Sequence, residues 1–331
     1  MAPSQAAQEW ARRRTFHHSR YTPEALAAAR ARRGLTVSAC VPARECAATV
    51  GEVVSSLVRL RERRAIDEVV VVDAASPDGT AAMARRAGAR VLQEAELMGE
   101  LAGELGAVRG KGDAMWRALP CLRGDVVCFL DGDTEAFSEH YATGLLGPLL
   151  CEPEGPRGAL GEAGALGEAG AVGEVEPEEI VFVKGFYRRP FRQGGVSLAE
   201  GGGRVNHLVA RPALELFYPE LACLRQPLAG EVAARRELLE ELAFVTGYGV
   251  EIGMVIDVWR RVGLGGMAQV DLEEHRNRHQ PLEALGGMSR TVLATIAARL
   301  EREGRLSELA VGERVLERPP HAELLAGAVA G

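Results

Sequence analysis

The chain has 331 residues, 47% of them apolar, and a formal net charge of −7: enough for a sizeable core, and too acidic for broad phosphate neutralisation on nucleic acid. Its six cysteines, Cys40, Cys46, Cys121, Cys128, Cys151 and Cys223, lack Cys-x-x-Cys or zinc-site spacing and read as reduced thiols of a cytoplasmic protein. No stretch is long and apolar enough to cross a bilayer, and the N-terminus has no secretory apolar segment, so no membrane association is expected.

Residues 1–34 form a basic extension with Arg12, Arg13, Arg14, Arg20, Arg30, Arg32 and Arg33, and a helix is predicted from Pro23 to Arg33. Its charges suit a solvated face or acidic neighbours. From there the pattern becomes regular. Residues 35–41 read as a strand, Pro42-Ala43-Arg44-Glu45 as the turn after it, and 47–60 as a helix with Val50, Val53, Val54, Leu57 and Leu60 at helical spacing. A second strand, 68–72, ends at Asp73; Ser76-Pro77-Asp78-Gly79-Thr80 turns into a helix over 81–87, and 90–92 is a short third strand. Such alternation implies parallel βαβ units.

Gly110-Lys111-Gly112-Asp113 sits ahead of a helix predicted over 114–119. Two glycines around a lysine at a helix N-terminus suit a phosphate, and a solvent-facing cap is the other reading. The Walker spacing is missing, and no Gly-x-Gly-x-x-Gly follows the first strand, which argues against a P-loop enzyme or an ordinary dehydrogenase. The chain is organised around what comes next. Val126 to Leu130 reads as a strand buried on both faces, and it empties into Asp131-Gly132-Asp133. Two carboxylates at the carboxyl edge of an open sheet suit Mg²⁺ or Mn²⁺ carrying phosphates, although an Asx turn has the same residues.

Residues 152–178 carry a six-residue Gly/Ala/Glu repeat at 158–175, expected to be a flexible acidic insertion whose deletion leaves activity nearly unchanged. Order resumes with a strand at 180–184, followed by Gly185-Phe186-Tyr187-Arg188-Arg189-Pro190 and Gly201-Gly202-Gly203-Arg204. This cationic, glycine-rich region suits an anionic substrate, with salt bridges to surface glutamates as the alternative. Gln226 to Glu231 lead into a helix predicted over 232–241, and a second helix covers 252–262. A last strand, 267–272, ends at Glu273-Glu274-His275-Arg276-Asn277-Arg278, where His275 offers an imidazole ligand to a metal at Asp133. A closing helix over 288–300 precedes a tail, 304–331.

Val41 to Glu45, Val72 to Thr80, Gly110-Lys111-Gly112 and Asp131-Gly132-Asp133 resemble the nucleotide-sugar half of a GT-A glycosyltransferase. Val183 to Pro190, Gly201 to Val205, Pro227 to Glu231, Gly247 to Gly253 and His275 to Arg278 are similar, in that order, to glucosyl-3-phosphoglycerate synthases and the related mannosyl enzymes. The resemblance implies an α/β fold of GT-A type: a mixed, mostly parallel sheet flanked by helices. The nucleotide-sugar half would span 35–150 and an acceptor-binding half 179–303. It implies a retaining transfer of mannose or glucose from GDP-mannose, GDP-glucose or UDP-glucose to the 2-hydroxyl of D-3-phosphoglycerate, for compatible-solute synthesis, by a homodimer.

On the same resemblance, Pro42, Ala43, Glu45 and Ser76 would hold base and ribose, Lys111 the diphosphate, and Asp131 ribose or metal. Asp133 and His275 would ligate Mg²⁺ or Mn²⁺, Glu251 would hold sugar hydroxyls, and Leu228 would help position the reacting groups. Gly203, Arg204, Asn206 and Asn277 would meet the acceptor. Where the glucosyl enzymes usually read Arg-Val-Thr-Glu-Leu, this chain has Arg204-Val205-Asn206-His207-Leu208, which leans the expectation towards mannosyl transfer from a guanosine nucleotide. The alternatives are a GT-A transferase with another small or polymeric acceptor, a nucleotidyltransferase, and a non-catalytic nucleotide-sugar sensor. Missing membrane segments speak against a polymerising enzyme, and the turn at 42–45 lacks the glycine-rich loop of a nucleotidyltransferase.

Overall fold

A computed structural model describes residues 4–152, 179–193, 196–198, 201–276, 281–306, 316–321 and 323. The repeat at 158–175, Asn277 and most of the tail therefore lie outside the described residues. The strands are β1 (Thr15–His17), β2 (Val37–Ala43), β3 (Glu68–Asp73), β4 (Arg90–Gln93), β5 (Val126–Phe129) and β6 (Phe182–Arg188). They continue with β7 (Phe191–Gln193), β8 (Val196–Leu198), β9 (Val232–Arg235), β10 (Phe244–Val245), β11 (Met267–Glu274) and β12 (Glu317–Arg318).

Eight of them make one sheet in the order β1-β11-β6-β9-β5-β2-β3-β4. Only β9 runs against its neighbours, pairing antiparallel with both β5 and β6. All the other strands of the sheet therefore end at one edge. The valine-rich runs explain why these segments are central: Val69 to Val72 are buried, and successive residues point to opposite faces. Val70 and Val72 join an apolar layer with Trp116 and Ile256, whereas Val69 and Val71 join another with Leu57 and Leu145. Helices thus cover both faces, as a mostly parallel sheet requires.

The structure corrects several expected elements. Residues 232–241 are not one helix: Val232 to Arg235 are a buried strand between β5 and β6, and a helix follows only at Arg236–Glu240. Alanine favours helix in isolation, but two small residues, Ala233 and Ala234, fit the crowded centre of this sheet, and packing overrides propensity. The helix carrying Lys111 begins at Gly110, so the lysine lies in its first turn and not ahead of it. The closing helix begins at Leu282 rather than Met288.

Helix His140–Cys151 was hidden in the sequence by Gly144, Gly147 and Pro148. Close packing gives the glycines their reason, because a Cβ on Gly147 would lie 2.1 Å from the Tyr21 ring. The N-terminal helix Gln5–Arg13 and the edge strand β1 were also not anticipated. Arg33 does meet an acidic neighbour, Glu179, at 2.5 Å, and Arg30 pairs with Asp67.

From the tail, β12 pairs with β10, and buried Arg318 binds Asp113 at 2.8 and 2.9 Å. Asp113 also accepts from Arg117 at 3.0 Å and from the Arg109 backbone N–H at 2.8 Å. This network anchors the turn that presents Lys111. Gly112 fits the same joint, since a Cβ there would lie 1.9 Å from the Val245 carbonyl oxygen. Gly112→Ala is therefore expected to lower unfolding free energy by ~1–3 kcal/mol or more in a urea titration. Gly286→Ala, in a helix with nothing within 4 Å of the added methyl, should be neutral or stabilising by up to ~1 kcal/mol. Equal losses at both positions would contradict the packing described.

Candidate active site

The carboxyl edge of the sheet is where parallel strands of such folds expose ligand-binding groups. Glu45, Ala75 and Ala136 follow strands at this edge with positive φ values of 49°, 54° and 53°. Strained non-glycine backbone of this kind concentrates at functional sites. A cleft of about 420 Å³ opens here, lined on one side by Pro42, Ala43, Arg44, Glu94, Lys111, Asp131 and Asp133. Its other wall includes Arg189, Gly203, Arg204, Asn206, Leu228, Glu251 and His275. Residues from both halves of the chain thus share one cavity.

Lys111 bridges two carboxylates, with Nζ 2.5 Å from Asp131 Oδ1 and 3.2 Å from Glu251 Oε1. Burial alone would depress its pKa, but Asp131 and Glu251 outweigh burial and raise it. Asp131 lies directly on the 227–230 loop, where a Cβ on Gly230 would come 2.2 Å from Asp131 Oδ2, so a glycine is needed there. Beneath the cleft, Lys184 is buried in β6, donates to the Ala229 carbonyl, and has its pKa pushed down to about 8 by burial, against the pull of Glu251.

His275 is buried and stacked on Tyr187, ring centroids 4.3 Å apart. Its Nε2 lies 3.1 Å from Thr134 Oγ1 and 3.1 Å from Glu231 Oε1. Burial works to raise the Glu231 pKa, but His275, Lys111 and Arg189 outweigh it and hold the carboxyl ionised well below its usual range. Asp133 shifts the other way, raised by lost hydration and then by the nearby Asp131 charge. Asp131, Glu231 and His275 bring ligand atoms within 4.8 Å of one another. Apart from the 3.1 Å contact of Glu231 Oε1 with His275 Nε2, the Glu231 carboxylate oxygens, His275 Nδ1 and Tyr187 Oη are buried without a hydrogen-bond partner. Orphaned acceptors beside a crowd of carboxylates fit a divalent cation bound by oxygen and imidazole.

On the opposite wall, Arg189 lies 5.3 Å from the Tyr187 ring centroid, and Gly202 N–H donates to the Arg189 carbonyl at 3.0 Å. A Cβ on Gly202 would lie 2.6 Å from Arg189 Cβ, so the glycine run allows that close approach. Asn206 is buried, and its amide donates to the Arg225 carbonyl at 3.3 Å and accepts from Leu228 N–H at 3.4 Å. Its side chain thus supports the loop as well as lining the cavity.

The structure brings Pro42, Ala43, Lys111, Asp131, Asp133, Gly203, Arg204, Asn206, Leu228, Glu251 and His275 into one cleft. Glu45 and Ser76 sit beside it rather than in its lining, joined by a 2.9 Å hydrogen bond from Glu45 N–H to Ser76 Oγ. Asn277 lies outside the described residues. Two residues were missed, Glu231 and Lys184; Asp73, which the sequence sets at the end of the second strand, is buried there with Oδ1 unpartnered. For Lys184 a signal existed, since a charged residue inside an apolar run must be paired or functional. Glu231 had no such mark, because only the folded chain sets it against His275.

Comparison with known proteins agrees with this geometry. Residues 38–149 match the family described as Glycosyl transferase family 2. The chain is 39% identical to the glucosyl-3-phosphoglycerate synthase of Mycolicibacterium paratuberculosis, over 88% of this chain and 79% of that protein. It is 35% identical to the glucosyl-3-phosphoglycerate synthase of Petrotoga mobilis, over 89% and 82%. The crystal structure of mannosyl-3-phosphoglycerate synthase from Rubrobacter xylanophilus superposes with a TM-score of 0.81 and 42% identity, covering 98% of this chain and 99% of that one. The Mycobacterium tuberculosis glucosyl-3-phosphoglycerate synthase in complex with Mn²⁺, UDP and glucosyl-3-phosphoglycerate gives 0.72 and 36%, covering 92% and 96%. The chain belongs to the family of glucosyl- and mannosyl-3-phosphoglycerate synthases, with their GT-A fold.

Proposed function

We propose that this chain is a metal-dependent retaining hexosyltransferase that moves mannose or glucose from a nucleoside diphosphate sugar to the 2-hydroxyl of D-3-phosphoglycerate. The observation that carries the reading is the single cleft in which a carboxylate cluster around Lys111 and His275 faces the arginine- and glycine-lined wall of Arg189 and Gly203. One side suits a diphosphate with its metal, and the other suits a small polyanion.

Asp133 and His275 would hold Mg²⁺ or Mn²⁺, with Glu231 close behind His275. Bound there, the ion supplies positive charge to the departing diphosphate. Lys111 adds a fixed cation on the same side, so charge developing on the leaving group meets a preorganised partner. Glu251, 3.2 Å from Lys111, is set to accept hydrogen bonds from sugar hydroxyls. Pro42, Ala43, Glu45 and Ser76 take the nucleoside, and Asp131 orients ribose or metal.

The acceptor carries about three negative charges near neutral pH, given a second phosphate pKa of ~6. Arg204, Gly203, Asn206 and Asn277 meet its phosphate and carboxylate. Leu228, tethered to Asn206, keeps the loop backbone beside the reacting atoms. The departing phosphate takes the acceptor proton on the same face of the sugar, so no enzymic nucleophile is required.

Asn206 and His207 stand where glucosyl enzymes usually carry threonine and glutamate, a departure in the acceptor wall that we read as a changed donor or acceptor preference, with GDP-mannose as the proposed donor. A homodimer, a cytoplasmic setting and a role in compatible-solute synthesis complete the reading.

Purified chain incubated with 3-phosphoglycerate, Mg²⁺ and GDP-mannose, GDP-glucose or UDP-glucose is expected to give a phosphorylated hexoside by mass spectrometry, fastest from GDP-mannose. No product from any donor would refute the transfer, and binding without turnover would point to a sensor. Asp133→Ala and His275→Ala should abolish turnover with folding retained by circular dichroism. Lys111→Met should lower kcat about 10²–10³-fold, the scale of one lost charge-stabilising group. Wild-type rates in any of the three would remove that residue from the machinery.

A further inference from the structure

Away from the cleft, three side chains converge at the edge of the sheet. His17 ends β1, His18 opens the turn His18–Arg20, and Glu273 lies on a bulge of β11, where the ladder to β6 shifts between Asp271 and Glu274. Pairing of β1 with β11 sets His17 opposite Asp271 and brings both imidazoles to Glu273. Glu273 Oε1 lies 3.2 Å from His18 Nε2 and 3.7 Å from His17 Nε2. One ligand atom from each residue fits within 4.8 Å of the others. A tetrahedral zinc site with bonds of ~2.0–2.1 Å has ligand-to-ligand edges of ~3.3 Å. Both carboxylate-to-imidazole separations are close to that edge.

Independent features support a ligand here. Glu273 adopts a φ of 66°, a left-handed conformation uncommon for glutamate, and its N–H is tied to Asp271 Oδ1 at 2.9 Å. The strained backbone turns this carboxylate towards the two rings, where plain extended strand would carry it elsewhere. His18 Nε2 is buried and makes no aligned hydrogen bond, despite the nearby carboxylate. His17 Nδ1 lies 2.8 Å from Ser19 Oγ. Ser19 N–H donates to the same nitrogen at 3.3 Å, so binding a metal through Nε2 moves the ring proton to Nδ1, where Ser19 Oγ accepts it. His140, its ring 4.5 Å from that of His18, is a wall and not a ligand, since Ser138 Oγ and the Leu272 carbonyl occupy its two nitrogens.

We propose that His17, His18 and Glu273 form a second metal site, separate from the cleft, that takes zinc or a similar borderline transition ion and leaves one position to water. Two imidazoles select against Mg²⁺, which prefers oxygen ligands and its own hydration shell. The ion clasps the N-terminal strand to β11, two residues before His275. This inference does not depend on which sugar or acceptor the cleft accepts.

The test uses the full chain stripped with a chelator, loaded with Zn²⁺ alone and desalted. Zinc counted by mass spectrometry should be one equivalent lower in the His17→Gln/His18→Gln double variant than in wild type. In a His275→Ala background, altered only at the cleft, adding the His17→Gln/His18→Gln change should still remove one equivalent. Zinc-soaked wild-type crystals should give an anomalous peak between the three side chains, a readout that survives if the double variant folds poorly. Equal zinc in wild type and double variant, or no anomalous peak at Glu273, would overturn the site and leave a metal-free imidazole–carboxylate pair. Neither readout involves turnover, so failure here is distinguishable from failure of the transferase reading.

Discussion

Carboxylate crowding at the tip of the central strands is the constraint on which the rest of this structure depends. Asp131, Glu231 and Glu251 surround a space that also receives Asp133, Lys111 and Lys184 are the cations set among them, and the His275 imidazole lies against Glu231. Like charges so close raise one another's cost of ionisation, and the opposite displacements of Glu231 and Asp133 express that tension. A bound divalent ion would relieve it, and the same ion would offer positive charge to an anionic leaving group.

Maintaining the crowd requires backbone approaches that only small residues allow. Gly230 lets Asp131 lie against the 227–230 loop, Gly112 lets the Lys111 helix dock on β10, and Gly202 packs on Arg189. The buried Arg318–Asp113 pair then anchors the first turn of the Lys111 helix from the far end of the chain. One antiparallel strand, β9, joins the two halves: it starts directly after Glu231 and lies between β5, which precedes Asp131, and β6, which carries Lys184. The strands that lead to or from Asp131, Arg189 and Glu231 are consequently neighbours in one sheet, so the spacing of these residues is set by strand pairing.

Much of this was legible in the sequence. The Val126 to Leu130 run ending in Asp131-Gly132-Asp133 is buried and ends at the cleft as expected, and the helix Pro23–Arg33 has its predicted bounds. Motifs written contiguously, such as Gly110-Lys111-Gly112, carried their own signal. What escaped was what folding alone creates. Val232 to Arg235 reads as helix by propensity, and only pairing between two strands makes it β; Glu231 gains meaning from His275, distant in sequence; helix His140–Cys151 hid behind glycines whose purpose is contact with His18 and Tyr21. Glu45 and Ser76 show the converse: strand-end polar residues that sit at the rim and bind each other.

The family setting leaves mannose or glucose as the sugar, and the same charge logic serves both, because it acts on the diphosphate and not on the hexose. The most direct test of the central claim is Mn²⁺ binding by electron paramagnetic resonance, with and without a nucleoside diphosphate. The account predicts one Mn²⁺ per cleft, bound more tightly once the diphosphate is present and lost when His275 is replaced by alanine. Mn²⁺ binding that ignores both the diphosphate and the His275 substitution would contradict it.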